Sequence, residues 1–326
     1  MIEKYYNGVI EQVAGGIGNV EHNSILVRYS NDFSIWDLES VNHYKDQTDI
    51  FFTCHEFSYN KIAEAYEPYL GLIQQMFHRY CSGTLEEFME ECDVYKLQRP
   101  VFESYFENGF CERTEQILID EVEYEQERMR NSIVTMLQKL SEIRPVVIVL
   151  NRFQLASKST MQLSNSLLQV KNKNIGIVLG VNDVQSIPEF AHEEWDAICE
   201  SMDDRNMVYH IGNAGRNMEP DVMDYYSDYE SDDGYRKLNN LVYFLDFDQA
   251  DHHLSKIERR IKFDNFTISE KKHYQLLLLQ IMVSVLQRDI AKALESCEDL
   301  EKLQDQEKEG AFYYNFWMAT SYMYLG

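Results

Sequence analysis

The chain is short of positive charge: 30 lysines and arginines stand against 55 aspartates and glutamates in 326 residues, a formal net charge of −25. No Lys/Arg cluster is long enough to track a phosphate backbone, so neither a nucleic acid nor an anionic membrane is an expected partner. Nowhere do 18 apolar residues run together, and Met1-Ile2-Glu3-Lys4-Tyr5-Tyr6 lacks the apolar core of a secretory leader. A soluble, cytoplasmic protein is the expectation. Six cysteines, Cys54, Cys81, Cys92, Cys111, Cys199 and Cys297, are scattered without a Cys-x-x-Cys spacing and read as buried reduced thiols.

What is present is enough apolar material for more than one core, with 44% hydrophobic and 26% charged residues. Short β-rich runs alternate with longer helical patterns through the first two thirds, which predicts an α/β unit with a largely parallel sheet. The predicted strands are Ser24 to Tyr29, Ile50 to Cys54, Val146 to Leu150, Ile175 to Val181 and Met207 to Ile211. Helices are predicted over Asn60 to Tyr80, Thr114 to Ile143, Ser159 to Val170 and Glu189 to Ser201. In the long one, Val122, Met129, Ile133, Met136, Leu137, Leu140 and Ile143 recur at three- and four-residue spacing and mark one packing face.

Glu219 to Asp233 carries seven acidic and no basic residues, with tyrosines between them, and reads as a solvated loop or an acidic partner patch. Its order does not fit a calcium loop. From residue 246 the composition is helical, and residues 1–245 and 246–326 are the expected domains. Lys271 to Gln287 and Asp289 to Leu303 read as two antiparallel helices, and Gly310 to Leu325 opens a third.

The segment Arg288-Asp289-Ile290-Ala291-Lys292-Ala293-Leu294, with Cys297 and Leu300, resembles the second half of a tetratricopeptide repeat, and Ala319, Tyr322 and Gly326 the first half of the next. A repeat that stopped there would expose Phe312, Phe316, Trp317, Tyr322 and Tyr324, so a longer natural protein is expected.

Three small constellations are candidate sites that chemistry does not favour. Cys54-His55-Glu56 sets a thiol beside a base, but neighbours on a strand point to opposite faces. His252-His253 near Asp246, Asp248 and Asp251 lacks the further ligands of a metal site. Gly15-Gly16-Ile17-Gly18 precedes the first strand instead of following it, where a phosphate loop would stand, and reads as a plain loop.

The run Arg144-Pro145-Val146-Val147-Ile148-Val149-Leu150 followed by Asn151-Arg152-Phe153-Gln154-Leu155-Ala156 resembles the metal strand of P-loop ATPases, with Asn151 and Arg152 where two acids would stand. Together with Ile25-Leu26-Val27-Arg28, Phe51-Phe52-Thr53-Cys54 and Ala65-Tyr66-Glu67-Pro68-Tyr69-Leu70, residues 1 to 245 resemble the ATPase module of STAND-type signalling proteins, a branch related to AAA+ enzymes. The resemblance implies a P-loop NTPase-like parallel sheet flanked by helices, followed by an all-α tetratricopeptide-like segment.

Set against the family's Gly-x-x-Gly-x-Gly-Lys-Ser/Thr, this chain reads Tyr29-Ser30-Asn31-Asp32-Phe33-Ser34-Ile35-Trp36. Tyr29, Asp32 and Ser34 replace the glycines, Ile35 the lysine and Trp36 the metal hydroxyl. At the sensor position Asn182-Asp183 replaces Tyr-Arg or Thr-Arg. One preorganised electrostatic contact is typically worth roughly 3 kcal/mol in a transition state, and here all of them are absent together.

The expectation is therefore a pseudo-ATPase with no catalytic residue, no cofactor and no metal. Tyr29 and Trp36 are bulky enough to fill the former phosphate pocket. The resemblance implies an input module of multidomain bacterial signalling proteins, whose helical repeats bind a protein segment or a C-terminal output domain such as a diguanylate cyclase. Two other readings stay open: a switch that holds nucleotide without hydrolysis through Arg28, Arg152 or Asn182, and a plain interaction scaffold.

Overall fold

The computed structural model describes residues 2–20, 23–30, 33–45, 47, 49–111, 121–183, 187–205, 207–211, 229, 231–264, 266–303 and 319–320. The chain forms two compact units, Met1–Arg99 with Met129–Tyr225, and Pro100–Arg128 with Tyr226–Gly326. The linear cut at residue 245 falls inside the second. Among the described residues, no helix is long and apolar enough to cross a membrane.

The first unit is built on a five-stranded sheet, β1 (Asn23–Tyr29), β2 (Phe51–Glu56), β3 (Val146–Asn151), β4 (Ile175–Asn182) and β5 (Val208–Ile211). The order is β2-β3-β4-β1-β5 and every pairing is parallel. The helices are α1 (Ile2–Gly16), α2 (Glu39–Lys45), α3 (Tyr69–Tyr80), α4 (Leu85–Glu91), α6 (Val122–Ile143), which begins in the second unit, α7 (Lys158–Gln169) and α8 (His192–Asp203). Between α4 and α6 lies α5 (Arg99–Asn108), all but its first residue in the second unit.

Strands buried on both faces need apolar residues at consecutive positions, and β3 and β4 are buried throughout. One face carries Ile25, Val27, Tyr29, Val147, Val149 and Val178 against Tyr6, Val9, Ile10 and Val13 of α1 and Val41 of α2. Leu26, Ile148, Leu150, Ile177 and Leu179 alternate with them and are equally buried on the other face.

Two glycines set how closely α1 lies on β4. A Cβ at Gly176 would meet Val13 Cγ1 at 2.6 Å, and one at Gly180 would collide with the Tyr6 hydroxyl and meet Asn151 Oδ1 at 2.7 Å. Tyr6 over Gly180 and Val13 over Gly176 also make α1 antiparallel to β4. The Gly15-Gly16-Ile17-Gly18 segment is the end of α1 and the turn after it, where Gly18 adopts φ 81°; it is not a loop throughout.

Two helix expectations change, and the predicted start of the long helix lies outside the described residues. Asn60 to Tyr80 is helical only from Tyr69, because a residue before proline is driven out of the α region and Pro68 stands at the helix N-cap. The helix predicted from Thr114 is described from Val122; residues 112–120 lie outside the described residues. On α6, Met129, Ile133, Met136, Leu137 and Leu140 are buried, but Ile143 is 50% exposed at the helix end.

The second unit contains α5, α9 (Asp232–Tyr243), α10 (Phe247–Phe263), α11 (Glu270–Leu286) and α12 (Ile290–Lys302). Hydrogen bonds tie its two chain segments: Asn240 Oδ1 accepts from the Cys111 N–H (3.0 Å), Asn239 Nδ2 donates to the Cys111 carbonyl (2.9 Å), and Gln126 Nε2 donates to the Leu245 carbonyl (2.8 Å). Phe102 packs on Phe244 at 5.7 Å.

Helices α11 and α12 form a hairpin closed through Arg288 at φ 65°, with Ala293, Cys297 and Leu300 buried. Lys292 Nζ donates to Asp251 and Ser255 of α10, both at 2.6 Å, and Gln280 of α11 joins the same Asp251 (2.9 Å). The expected third helix, Gly310 to Leu325, lies outside the described residues apart from Ala319 and Thr320. Of the acidic stretch 219–233, residues 219–228 and 230 lie outside them, while Ser231 caps α9 through the Gly234 N–H (2.8 Å).

Gly180→Ala should destabilise the first unit by about 1–3 kcal/mol, the cost of overpacking a filled core. Tyr6→Phe should change stability by less than about 1 kcal/mol, since its buried hydroxyl has no partner among the described residues. Denaturant unfolding of the two single variants and the double should show Tyr6→Phe recovering part of the Gly180→Ala loss. Additive losses would mean that the hydroxyl is not what the new methyl meets.

Candidate functional site

In a doubly wound sheet, ligands settle outside the carboxyl ends of the strands where the chain reverses direction across the sheet. From β1 the chain crosses leftward to edge strand β2, and from β2 through β3 and β4 to β5 it moves rightward. Right-handed crossovers send those two sets of connections to opposite faces, so the reversal lies between β1 and its neighbour β4. The residues there are candidates by position alone.

They meet because β4 has a gap. β1 and β3 lie two strand spacings apart, about 9–10 Å, with β4 between them. Tyr29 and Asn151 share the face that Gly180 leaves bare, and the Tyr29 hydroxyl donates across it to Asn151 Oδ1 at 2.7 Å. Phe33, in the segment after β1, stacks edge-on against Tyr6 (5.1 Å) and Tyr29 (4.9 Å). Burial, and then the Glu56 carboxylate, hold the Tyr6 hydroxyl far above the usual phenol range, so it stays protonated.

A carboxylate closes the site. Glu56, the last residue of β2, lies level with Asn151 in the register and on the same face. Its Oε2 accepts from the Ile35 backbone N–H (2.9 Å) and from Asn151 Nδ2 (3.3 Å), and its Oε1 pairs with Arg152 Nη1 (3.0 Å). Asn151 Nδ2 also lies 3.4 Å from the Phe33 carbonyl. Arg152 takes the left-handed conformation at φ 54°, which costs a non-glycine residue of order 1 kcal/mol, and its guanidinium rests 4.8 Å above the Tyr59 ring.

The residues singled out in the sequence fall into two groups. Tyr29, Ile35, Asn151 and Arg152 converge on this network. Asn182 sits opposite Tyr29 in the register, and its N–H donates to the buried Gln154 Oε1 (3.2 Å). Ser34 caps a short 3₁₀ turn, Ile35–Asp37. Arg28 points to the opposite face from Tyr29 and pairs with Asp183 at 2.7 Å. Asp32 lies outside the described residues.

The filling of the pocket differs from expectation at one residue. Tyr29 is buried, but Trp36 is 48% exposed, with the Lys45 ammonium 5.9 Å from its ring centre. The turn at Ser34 directs Ile35 inward and leaves Trp36 at the surface; Phe33 and Ile35 take the space instead. Sequence reasoning missed Tyr6 and Gly180, and set Glu56 only beside Cys54 and His55. For its role here the signal was an acid two residues beyond the predicted strand end.

The other constellations are now placed. Burial pushes the Cys54 thiol up to about 11, with Lys45 lowering and Glu56 raising it, so it is no thiolate at neutral pH. His55 lies 3.4 Å from the Glu67 carboxylate. His253 is buried inside α10 with its Nδ1 3.0 Å from the Tyr229 hydroxyl, and burial holds it neutral. Glu258, Glu295 and Asp299 bring three carboxylates together, but Lys262 Nζ contacts all of them, at 2.8, 3.1 and 3.1 Å.

Chemically, Glu56 is the common acceptor for three donors at this end of the sheet. An amide suits position 151 better than the acid of an ATPase, because one side must accept from Tyr29 and the other must donate to Glu56. Asn151→Asp should therefore cost about 1–3 kcal/mol at neutral pH by turning a donor towards a carboxylate into a like charge. Repulsion raises the folded-state pKa of the acid pair, so the loss is full above it and shrinks as pH falls towards the unfolded carboxyl value near about 4. Thermal unfolding of both proteins across that range checks the sign; a gap that widens on acidification would contradict it.

The chain matches no protein-family model, no curated protein and no solved structure.

Proposed function

We propose that this chain is a non-catalytic regulatory module: a degenerate STAND-type, P-loop-like α/β unit joined to tetratricopeptide-like helices that bind a protein segment. The observation that carries the reading is the occupancy of the carboxyl end of the sheet by the chain's own groups. Tyr29, Phe33 and Ile35 fill the space after β1, where a phosphate loop would cradle a nucleotide. Asn151 and Arg152 engage the Glu56 carboxylate where an ATPase would hold Mg²⁺.

Electrostatics favour the same conclusion. A triphosphate entering here would have to displace a carboxylate and face a chain of net charge −25. Arg28 and Arg152, the cations nearest to the site in sequence terms, are each engaged by an acid. The helical hairpin α11–α12, with Ala293 at the close approach, supports a role in presenting a surface to protein partners. By analogy with the family, the partner is an output domain of the same signalling protein or a segment of another.

Titration calorimetry with millimolar Mg-ATP, Mg-ADP and Mg-GTP should give no binding heat, and thermal unfolding should not move. A nucleotide that bound the folded state alone would add about 2.7 kcal/mol at a hundredfold excess over its Kd. Such a shift would replace this reading with that of a non-hydrolysing nucleotide switch.

A further inference from the structure

We infer that the Glu56 carboxylate is a resident anion, held in a receptor that accepts a small external oxyanion when that carboxylate is withdrawn. The inference uses the proposed function only in taking this end of the sheet as an ancestral phosphate site; the donor set stands without it. Three donors from three separate places converge on one carboxylate: the Ile35 N–H after β1 (2.9 Å), Asn151 Nδ2 at the end of β3 (3.3 Å) and Arg152 Nη1 beyond it (3.0 Å). Both carboxylate oxygens are used. Asn151 is fully buried, and the Glu56 and Arg152 side chains are only 12% and 17% exposed.

Backbone N–H, amide and guanidinium donors are the groups that bind formate, acetate or phosphate, and they are equally suited to each. Two of the three donors, Asn151 and Arg152, are fixed independently of the anion. Asn151 is oriented by Tyr29 from its other side (2.7 Å), and Arg152 is steadied by the Tyr59 ring and by its backbone, which turns left-handed at φ 54°. These two keep their places when the carboxylate leaves, whereas the Ile35 N–H is held by the carboxylate itself. The Glu56 side chain is the one member that enters from the edge strand, β2. It is also the latch by which β2 holds the segment 33–36, so withdrawing it would free that segment and open the receptor in one step.

Chemical rescue tests this in the full chain. Glu56→Ala should lower the thermal midpoint and speed amide exchange at Ile35 by roughly tenfold, the loss of one charge-assisted hydrogen bond. Sodium formate should restore both, saturably, beyond the effect of sodium chloride at equal ionic strength. The wild type should show no such gain, and Arg152→Ala in the Glu56→Ala background should abolish it. Rescue by inorganic phosphate as well as formate would define an oxyanion site; rescue by formate alone would define a carboxylate site. Failure of both, with Glu56→Ala folded, overturns the inference, as does equal stabilisation of the wild type.

Should Glu56→Ala not fold, Glu56→Gln keeps the shape but offers a single acceptor oxygen to donors that approach two. Exchange at Ile35 should then rise with the fold intact, and unchanged exchange would refute the carboxylate's role. Nucleotide titration of the wild type reports separately on the pseudo-ATPase reading, so either idea can fail alone.

Discussion

The missing side chain at Gly180 is the constraint on which the first unit depends. It lies on the central strand, on the face covered by α1, at the level where β1 and β3 must communicate. Any Cβ there would hold Tyr6 away and block the path from Tyr29 to Asn151. With that link gone, Asn151 would lose the bond that fixes which of its ends faces Glu56. Packing of the first helix and polarity of the site thus follow from one position. Gly176, four residues earlier on the same face, extends the same close approach to Val13.

The network contributes more to geometry than to net stability. A hydrogen bond exchanged for one with water is worth about 1 kcal/mol, whereas a buried group left without its partner costs about 1–3 kcal/mol. The wrong rotamer of Asn151, or a shifted loop after β1, is therefore penalised more heavily than the right one is rewarded. Apolar side chains could fill such a space at similar or greater stability. What they would not supply is a single register for the 33–36 segment relative to β2 and β3. In the second unit, Lys292 and Lys262 act in the same manner, each joining α10 to α12 through carboxylates on specific turns.

All five strands of the sheet were legible in the sequence, because short runs rich in β-branched and aromatic residues, bounded by polar ones, leave few alternatives. The residues that matter most stood just beyond the predicted ends. Glu56 follows Cys54 by two positions, and Asn151 and Asn182 each follow an expected terminus by one, yet all three are paired within the sheet. A polar residue after an apolar run reads as the start of a loop because its burial alone would be unfavourable. Glu56 and Asn151 are buried because they satisfy one another across strands, and Asn182 through its backbone N–H to Gln154, and that information is non-local. The same holds for Cys111 and Gln126, whose bonds to Asn239, Asn240 and Leu245 bridge more than a hundred positions. Helix α1 was legible in principle, since Tyr6, Val9, Ile10 and Val13 have helical spacing, but the glycines that end it drew attention to the turn.

The polar groups at this end of the sheet form a consistent set. Asn151 brings a donor, and that donor needs an acceptor, which Glu56 supplies. Placing Arg152 next to it offsets the charge that Glu56 introduces in a poorly solvated position. Once the carboxylate is present, the backbone N–H of Ile35 has its acceptor, and a lysine at 35 would add a cation for which the network leaves no anion. Each of these groups is one that the internal network requires. The same positions are packed, paired and mutually dependent, so none of them can change alone without leaving a buried donor or acceptor unmatched.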